Sequence, residues 1–509
     1  MTTTDATTFN AGESYSKWVA PTGGVAAGTV VVLNSFDTAA PTANIGTISA
    51  VAFNGSSGRG LSATGESLYA YAAASDATAD TPVTQLAHIY IGTPSNAAAD
   101  GAAPASLPAN LDLSFTDGRD GAIFMGSHNN QPSFAGYLST LSNTANYSNP
   151  GATATLASAL DSSAFTATYK LQILHYYGES GLLGVKTAPI MGALIDKFDD
   201  QYANTIKIAE GDTYIPGPWL VGGNDPSLSA VAGIGSTALG RPDVAIMNAF
   251  GTTVSALGNH EFDLGSSVFS AAITTTGAWV GAQYAYITDN LNVAADSSLR
   301  GITDKSLGGN NTYAGADVST LKGKIAPYAI SIVGGEKIGY VGAITYELLN
   351  KSSPNGTVTT GIASIDDSLK IPELAAVIQA SVNALIAAGV NKIIMVDQLD
   401  TLSRDTMLAP LLSGVDVIVG GGGHERLADS TDTLAPFNGH DATAYPGASY
   451  PIVATGKDGK STLIVTTDTE FSYLGRLVVD FDANGEVVLG NLNPAINGAY
   501  ASTEAVLQA

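Results

Sequence analysis

Leu257-Gly258-Asn259-His260-Glu261-Phe262-Asp263 is the stretch whose reading decides the fold. Ala256-Leu257 closes an apolar run of the kind that ends a buried strand. Gly258 then lets the backbone come close to an ion or an anion. The Asn259 carbonyl oxygen suits a hard or borderline cation, and a neighbouring His260 that is not itself a ligand can donate to a phosphoryl oxygen or a leaving group. A plain Asx or His turn after a strand would explain an isolated Asn-His pair. The whole string, with acids on its far side, points instead to a metal-and-phosphate constellation.

Other strings in the same order support this reading. Leu171-Gln172-Ile173-Leu174-His175 reads as a first strand, and Ile208-Ala209-Glu210-Gly211-Asp212 as a second that ends in Gly-Asp. Lys392 to Val396 and Val415-Asp416-Val417-Ile418-Val419-Gly420 are two further strands. Tyr473-Leu474-Gly475-Arg476-Leu477 with Phe481-Asp482-Ala483-Asn484-Gly485 reads as a closing hairpin. Together, over residues 169–490, these strings resemble the calcineurin-like metallophosphoesterases of the 5'-nucleotidase type. The resemblance implies an α/β four-layer (αββα) sandwich, two metal ions and hydrolysis of phosphate esters.

The same resemblance exposes departures. Where the family carries an Asp and a His after the first strand, this chain has Gly178 and Ser180. Where it carries a His after the fourth motif strand, Gln398 stands. The first His of its last motif aligns with Gly422. Retained are the metal ligands Asp212, Asn259 and His424, and the catalytic His260, which is not a ligand. One metal site would keep Asp212 and His424, and the other Asp212 and Asn259. A dinuclear centre needs several ligands per ion, fixed by a second layer of contacts. Glu179, Asp397 and Glu425 lie beside lost or retained ligands, but successive side chains at a strand end point in opposite directions. The expectation is that no cofactor is tightly bound, with Mn, Zn or Fe required if the chain is active.

Composition narrows the class. Of 509 residues only 13% are charged, and 45 acids against 21 bases give a net charge of -24. A field of that sign repels nucleic acid and anionic membrane surfaces. Cys is absent, so disulfides cannot locate the protein. The first residues lack a basic and then apolar leader. No apolar run reaches the ~20 residues of a membrane span, so membrane insertion is not expected. Together these features suggest an extracellular or cell-surface protein, exported without an N-terminal signal peptide in this chain.

The sequence divides into a Thr-rich flexible start (1–12), an N-terminal all-β domain read as a sandwich or barrel (13–145), a connector (146–168), the phosphoesterase-like domain (169–490) and a tail (491–509). His88 and His128 read as structural. Helices are expected over Pro189 to Tyr202 and over Pro372 to Gly389, each with an apolar stripe. Asp480, Asp482 and Asn484 sit at alternate positions like calcium ligands, but Asn484-Gly485 between apolar runs also signals a hairpin. The function expected is that of a catalytically impaired phosphoesterase fold, used as a structural, surface or assembly-forming protein with homotypic contacts. The alternative is an active, divergent metal-dependent phosphohydrolase whose substrate the sequence does not name.

Overall fold

The computed structural model describes residues 14–509 except 36–37, 52–64, 94–106, 108–110, 120, 129–130, 132–133, 150–160, 166, 180, 305–314, 365–366, 438–439, 441–442 and 448. The chain forms two compact units, Met1–Thr168 and Tyr169–Ala509.

In the first unit Tyr15–Val19 pairs antiparallel with Thr47–Val51. Gly65–Ala73 pairs antiparallel with Pro82–Gly92, which takes Asp112–Phe115 as a parallel neighbour. Among the described residues these small sheets do not close into one sandwich or barrel. The run Thr29 to Leu33, β-prone in sequence, is strand only at Leu33–Asn34. There the Asn44 side chain takes over the ladder's work, accepting from Val32 N at 2.8 Å and donating to Val30 O at 3.1 Å. His88 is buried with its Nδ1 2.7 Å from Asp112 Oδ1, and His128 Nδ1 lies 2.8 Å from Ser163 O.

The second unit holds two seven-stranded sheets. The first runs Ile325–Ala326, Ala285–Ile287, Val254–Ala256, Thr205–Ala209, Tyr169–Tyr176, Tyr473–Phe481, Gly498–Ala501. Its motif strands 169–176, 205–209 and 254–256 are parallel. The second sheet is centred on Glu336–Ile344, Ile393–Gln398, Val417–Val419 and Ser461–Val465, again parallel. Side-chain alternation along the first strand shows the layering. Leu171 and Ile173 join the core shared with Val341, Met395 and Ile418 of the other sheet. Leu174 and Tyr176 face Met191, Leu194 and Phe198 of the helix Gly184–Asp199. Strands covered on both faces read as nearly continuous apolar runs, which is why Ile393–Gln398 is buried throughout.

Both expected helices begin earlier than their prolines suggest, at Gly184 and Asp367. A proline removes only its own N–H and crowds one carbonyl, so a preceding turn can still form. The helix Asp367–Ala387 includes a 19-residue stretch long and apolar enough to cross a membrane. Its stripe of Ile371, Leu374, Ile378, Val382 and Leu385 is instead sealed in the core.

The closing hairpin and the tail need correction. Phe481 meets Val487 at a single bridge, and the partner of strand 473–481 is Gly498–Ala501, from the stretch read as a tail. Between them Asn497 occupies the ladder position, accepting from Val478 N at 2.7 Å and donating to Val478 O at 3.1 Å. Two of the calcium-like carboxylate oxygens are committed elsewhere. Asp482 Oδ1 accepts from Asn484 N and Glu486 N, and Asp480 Oδ2 accepts from Lys170 Nζ and Asn491 Nδ2. The loop folds as a tight turn.

One partly buried acid gives the unit a pH dependence. Asp289 accepts from Ser381 Oγ at 2.6 Å, and burial pushes its carboxyl up to about 7. The folded chain thus holds this proton more tightly than the unfolded one. Stability is highest below the unfolded carboxyl's range and falls as pH rises from about 4 to about 7, by up to ~4 kcal/mol. Asp289→Asn, which keeps the acceptor, should raise the melting temperature at pH 8 and flatten the profile. A variant with the parent's slope between pH 5 and 8 would refute the assignment.

Candidate active site

Parallel strands deliver five loops to one end of the two sheets, the usual place for ligands in open α/β sheets. These are Tyr177-Gly178-Glu179, Glu210-Gly211-Asp212, Leu257 to His260, Gln398-Leu399-Asp400 and Gly420 to His424. Four non-glycine residues there hold positive-φ backbone: Glu179 (φ 36), Asp212 (φ 44), Asp400 (φ 74) and His424 (φ 58). Such conformations persist only where the surroundings impose them.

Asp212 is the centre. Its Oδ1 accepts from His260 N at 3.0 Å, and its Oδ2 accepts from Tyr177 Oη at 2.5 Å and Gln398 Nε2 at 2.8 Å. Burial pushes its carboxyl up, against the pull of His260 and the Tyr177 hydroxyl. Asn259 Oδ1 accepts from the same Gln398 Nε2 at 2.8 Å. Glu261, fully buried, ties two loops together by accepting from Thr213 N at 2.5 Å and Gly258 N at 2.8 Å. Burial, with Asp212 nearby, pushes it up to about 7.

His260 is partly exposed and oriented by Asp263, whose Oδ2 lies 2.5 Å from its Nδ1. Ser352 Oγ donates to the other carboxylate oxygen at 2.7 Å. Burial draws the imidazole's pKa down, but Asp263, Asp212 and Glu179 outweigh it and hold it at about 9. His424 Nε2 lies 2.7 Å from Glu179 Oε2, and His260 Nε2 lies 3.9 Å from Glu179 Oε1. Glu179 therefore sits between the two histidines. The alternation argument against it fails because Glu179 has left the strand, with φ 36. Asp397 does obey alternation: it is buried away from the site beside Asp405, which burial pushes up to about 8. Glu425 turns back to accept from Leu402 N at 3.2 Å.

The structure thus brings Asp212, Asn259, His260, Gln398 and His424 to one place. Gly178 lies beside them, with the backbone oxygens of Thr213 and Asp212 3.2 and 3.3 Å from where its Cβ would be. Gly422 touches Gln398 and Asp400. Ser180 lies outside the described residues. Sequence reasoning passed over Tyr177 and Asp263. Their signal was position: Tyr177 directly follows the first strand, and Asp263 stands three residues after His260, within reach of its ring.

In this structure the retained donors have protein partners. Asp212 Oδ2 and Asn259 Oδ1 are both taken by an amide N–H group, and His424 is paired with Glu179 rather than aimed at Asp212. Among the described residues no group of three or more His, Asp or Glu side chains is disposed to hold a metal.

No family model matches the chain. It is 30% identical over 257 residues to the snake venom 5'-nucleotidase of Gloydius brevicauda, covering 50% of this chain and 36% of that protein. It is 28% identical over 263 residues to the 5'-nucleotidase of Rattus norvegicus, covering 52% and 38%. The chain therefore spans somewhat more than a third of the length of these curated relatives. Among solved structures, a 5'-nucleotidase precursor from Thermus thermophilus aligns with a TM-score of 0.46 at 25% identity, over 63% of this chain and 53% of that one. The α/β unit of this chain is thus similar to 5'-nucleotidases, at modest identity over about half of the chain.

Proposed function

We propose that the chain is a catalytically impaired phosphoesterase domain, retained outside the cell as a structural or surface protein that contacts copies of itself. One observation carries the loss of catalysis: the retained donors, though gathered in one place, are engaged by other protein groups. Asp212 and Asn259 face each other across Gln398, while His424 faces Glu179. Activation of water by a metal needs an ion fixed at an open coordination position. The extracellular, assembling role is supported by the net charge of -24, which cations must bridge or salt must screen when copies meet. That relatives include a venom 5'-nucleotidase is in keeping with export.

The second reading is an active, divergent phosphohydrolase. The His260–Asp263 pair favours it, since a partly exposed imidazole oriented by a carboxylate is a competent proton donor.

One preparation tests both. After exposure to manganese, zinc and iron, the dialysed protein should carry no stoichiometric metal pair and hydrolyse no nucleotide or aryl phosphate. Light scattering should show assembly with calcium that a chelator reverses. Two equivalents of retained metal, with phosphatase activity that His260→Ala abolishes, would establish the second reading. A monodisperse monomer with and without calcium would remove the assembly role.

A further inference from the structure

We propose that the side-chain amide of Gln398 occupies the place of a bridging cation, so that this site folds and holds its shape without metal. The inference rests on the impaired-catalysis reading but concerns the site's architecture rather than its turnover.

The geometry is specific. A single nitrogen, Gln398 Nε2, lies 2.8 Å from Asp212 Oδ2 and 2.8 Å from Asn259 Oδ1. An amide NH2 has two hydrogens, and each is directed to one of the two oxygens that the family turns toward metal. The Tyr177 hydroxyl supplies a third hydrogen, to the same Asp212 oxygen. A buried carboxylate is costly, and beside the pull of His260, hydrogen bonds to its charged form stabilise Asp212. Gln398 is 1% exposed and Asp212 1% exposed, so water cannot do this work.

Two departures from the family pattern meet here. A Cβ at position 422 would lie 2.5 Å from Gln398 Nε2 and 2.8 Å from Asp400 N. The Gly at 422 is therefore what makes room for the Gln at 398. Turning the amide over would place its oxygen against two others, an arrangement that only a cation could stabilise. Gln398 Oε1 has no hydrogen-bond partner, so the observed orientation leaves one acceptor unused in return for satisfying two. Gln398 is thus a positioning residue for Asp212 and Asn259.

The test uses the full chain and Gln398→Glu, which replaces the donating NH2 by an oxygen at nearly the same volume. Thermal melts are recorded at pH 8 in chelator, then with manganese or zinc alone, and ion stoichiometry is measured by calorimetry. The parent should melt at the same temperature in all conditions and bind no ion at the site. The variant should melt lower in chelator, by on the order of 5 °C, and recover on binding one ion per chain. A role in packing alone would not make the variant's stability depend on cations. Gln398→Met, close in volume but unable to donate, should melt low in chelator and stay low with added cation. One-to-one cation binding by the parent, raising its melting temperature, would overturn the proposal, as would a Gln398→Glu variant indifferent to cations. Nucleotide hydrolysis by the parent in chelator would instead defeat the functional reading and leave this one standing.

Discussion

Gly258→Ala should destabilise the α/β unit by on the order of 3–5 kcal/mol, among the largest effects of any single methyl in the chain. The added Cβ would overlap the Asp212 carboxylate and come within 2.5 Å of Asp212 N. Neither side can yield cheaply. Asp212 is held by Tyr177, Gln398 and His260, and its own backbone is already left-handed. Gly258 is held through its N–H by Glu261, which also holds Thr213. Relieving the overlap means breaking at least one of these buried bonds, at about 1–3 kcal/mol each. Urea denaturation measures the loss. Gly490→Ala, where nothing lies within 4 Å of the new methyl, is the control and should change stability by less than about 0.5 kcal/mol. Equal effects at the two positions would show that the close approach at Gly258 is not a constraint.

The second large effect is a gain. Gly178→Asp, Ser180→His and Gln398→His together should bind divalent metal and raise phosphatase activity above the parent, since Asp212, Asn259, His260 and His424 already stand at the site. Gln398→His removes the donor that occupies Asp212 and Asn259. Gly178→Asp brings a carboxylate beside the backbone oxygens of Thr213 and Asp212, a place that only a cation makes favourable. Gly422→His, the remaining reversion, should work against the other three. Position 422 has φ 93, and its Cβ would press on the Asp400 backbone at 2.8–2.9 Å. Adding it should cost on the order of 2–4 kcal/mol. Elemental analysis and hydrolysis of an aryl phosphate, read beside melting temperatures, check the order. A triple variant that binds no metal would show that the pocket has drifted beyond simple restoration.

Much of this was legible in the sequence because the motif strands are buried on both faces and end in short, chemically distinctive loops. Ile206, Ile208 and Val254 could only be core, and Gly211-Asp212 and Gly258-Asn259 could only follow them. The candidate ligand positions came with the strands. The loops' dihedral angles did not. Whether Glu179 faces the site depends on a backbone turn that alternation cannot foresee, and whether Gln398 is a lost ligand or a substitute donor depends on where one amide points. The N-terminal unit was harder to read. Its strands are short and half-exposed, so local signals such as Thr29 to Leu33 compete with side chains like that of Asn44, which settle the pairing from a distance. The C-terminal strand was hidden for a related reason. Gly498–Ala501 is too small and weakly apolar to announce itself, and it gains its place only from the neighbour it finds.

The middle of the first sheet has a consequence for how the chain is made. Strand 169–176 takes 205–209 on one side and 473–481 on the other, and Lys170 meets Asp480 across a separation of 310 positions. At ~5–20 residues per second, a ribosome needs roughly 15–60 s to supply that second neighbour. Throughout that interval the nascent chain carries a long apolar strand with one open edge. Such distant pairing is slow to close and exposes sticky surface while it waits. An excess of 45 acids over 21 bases gives unfinished chains like charge, which opposes their pairing with one another before the last strand arrives.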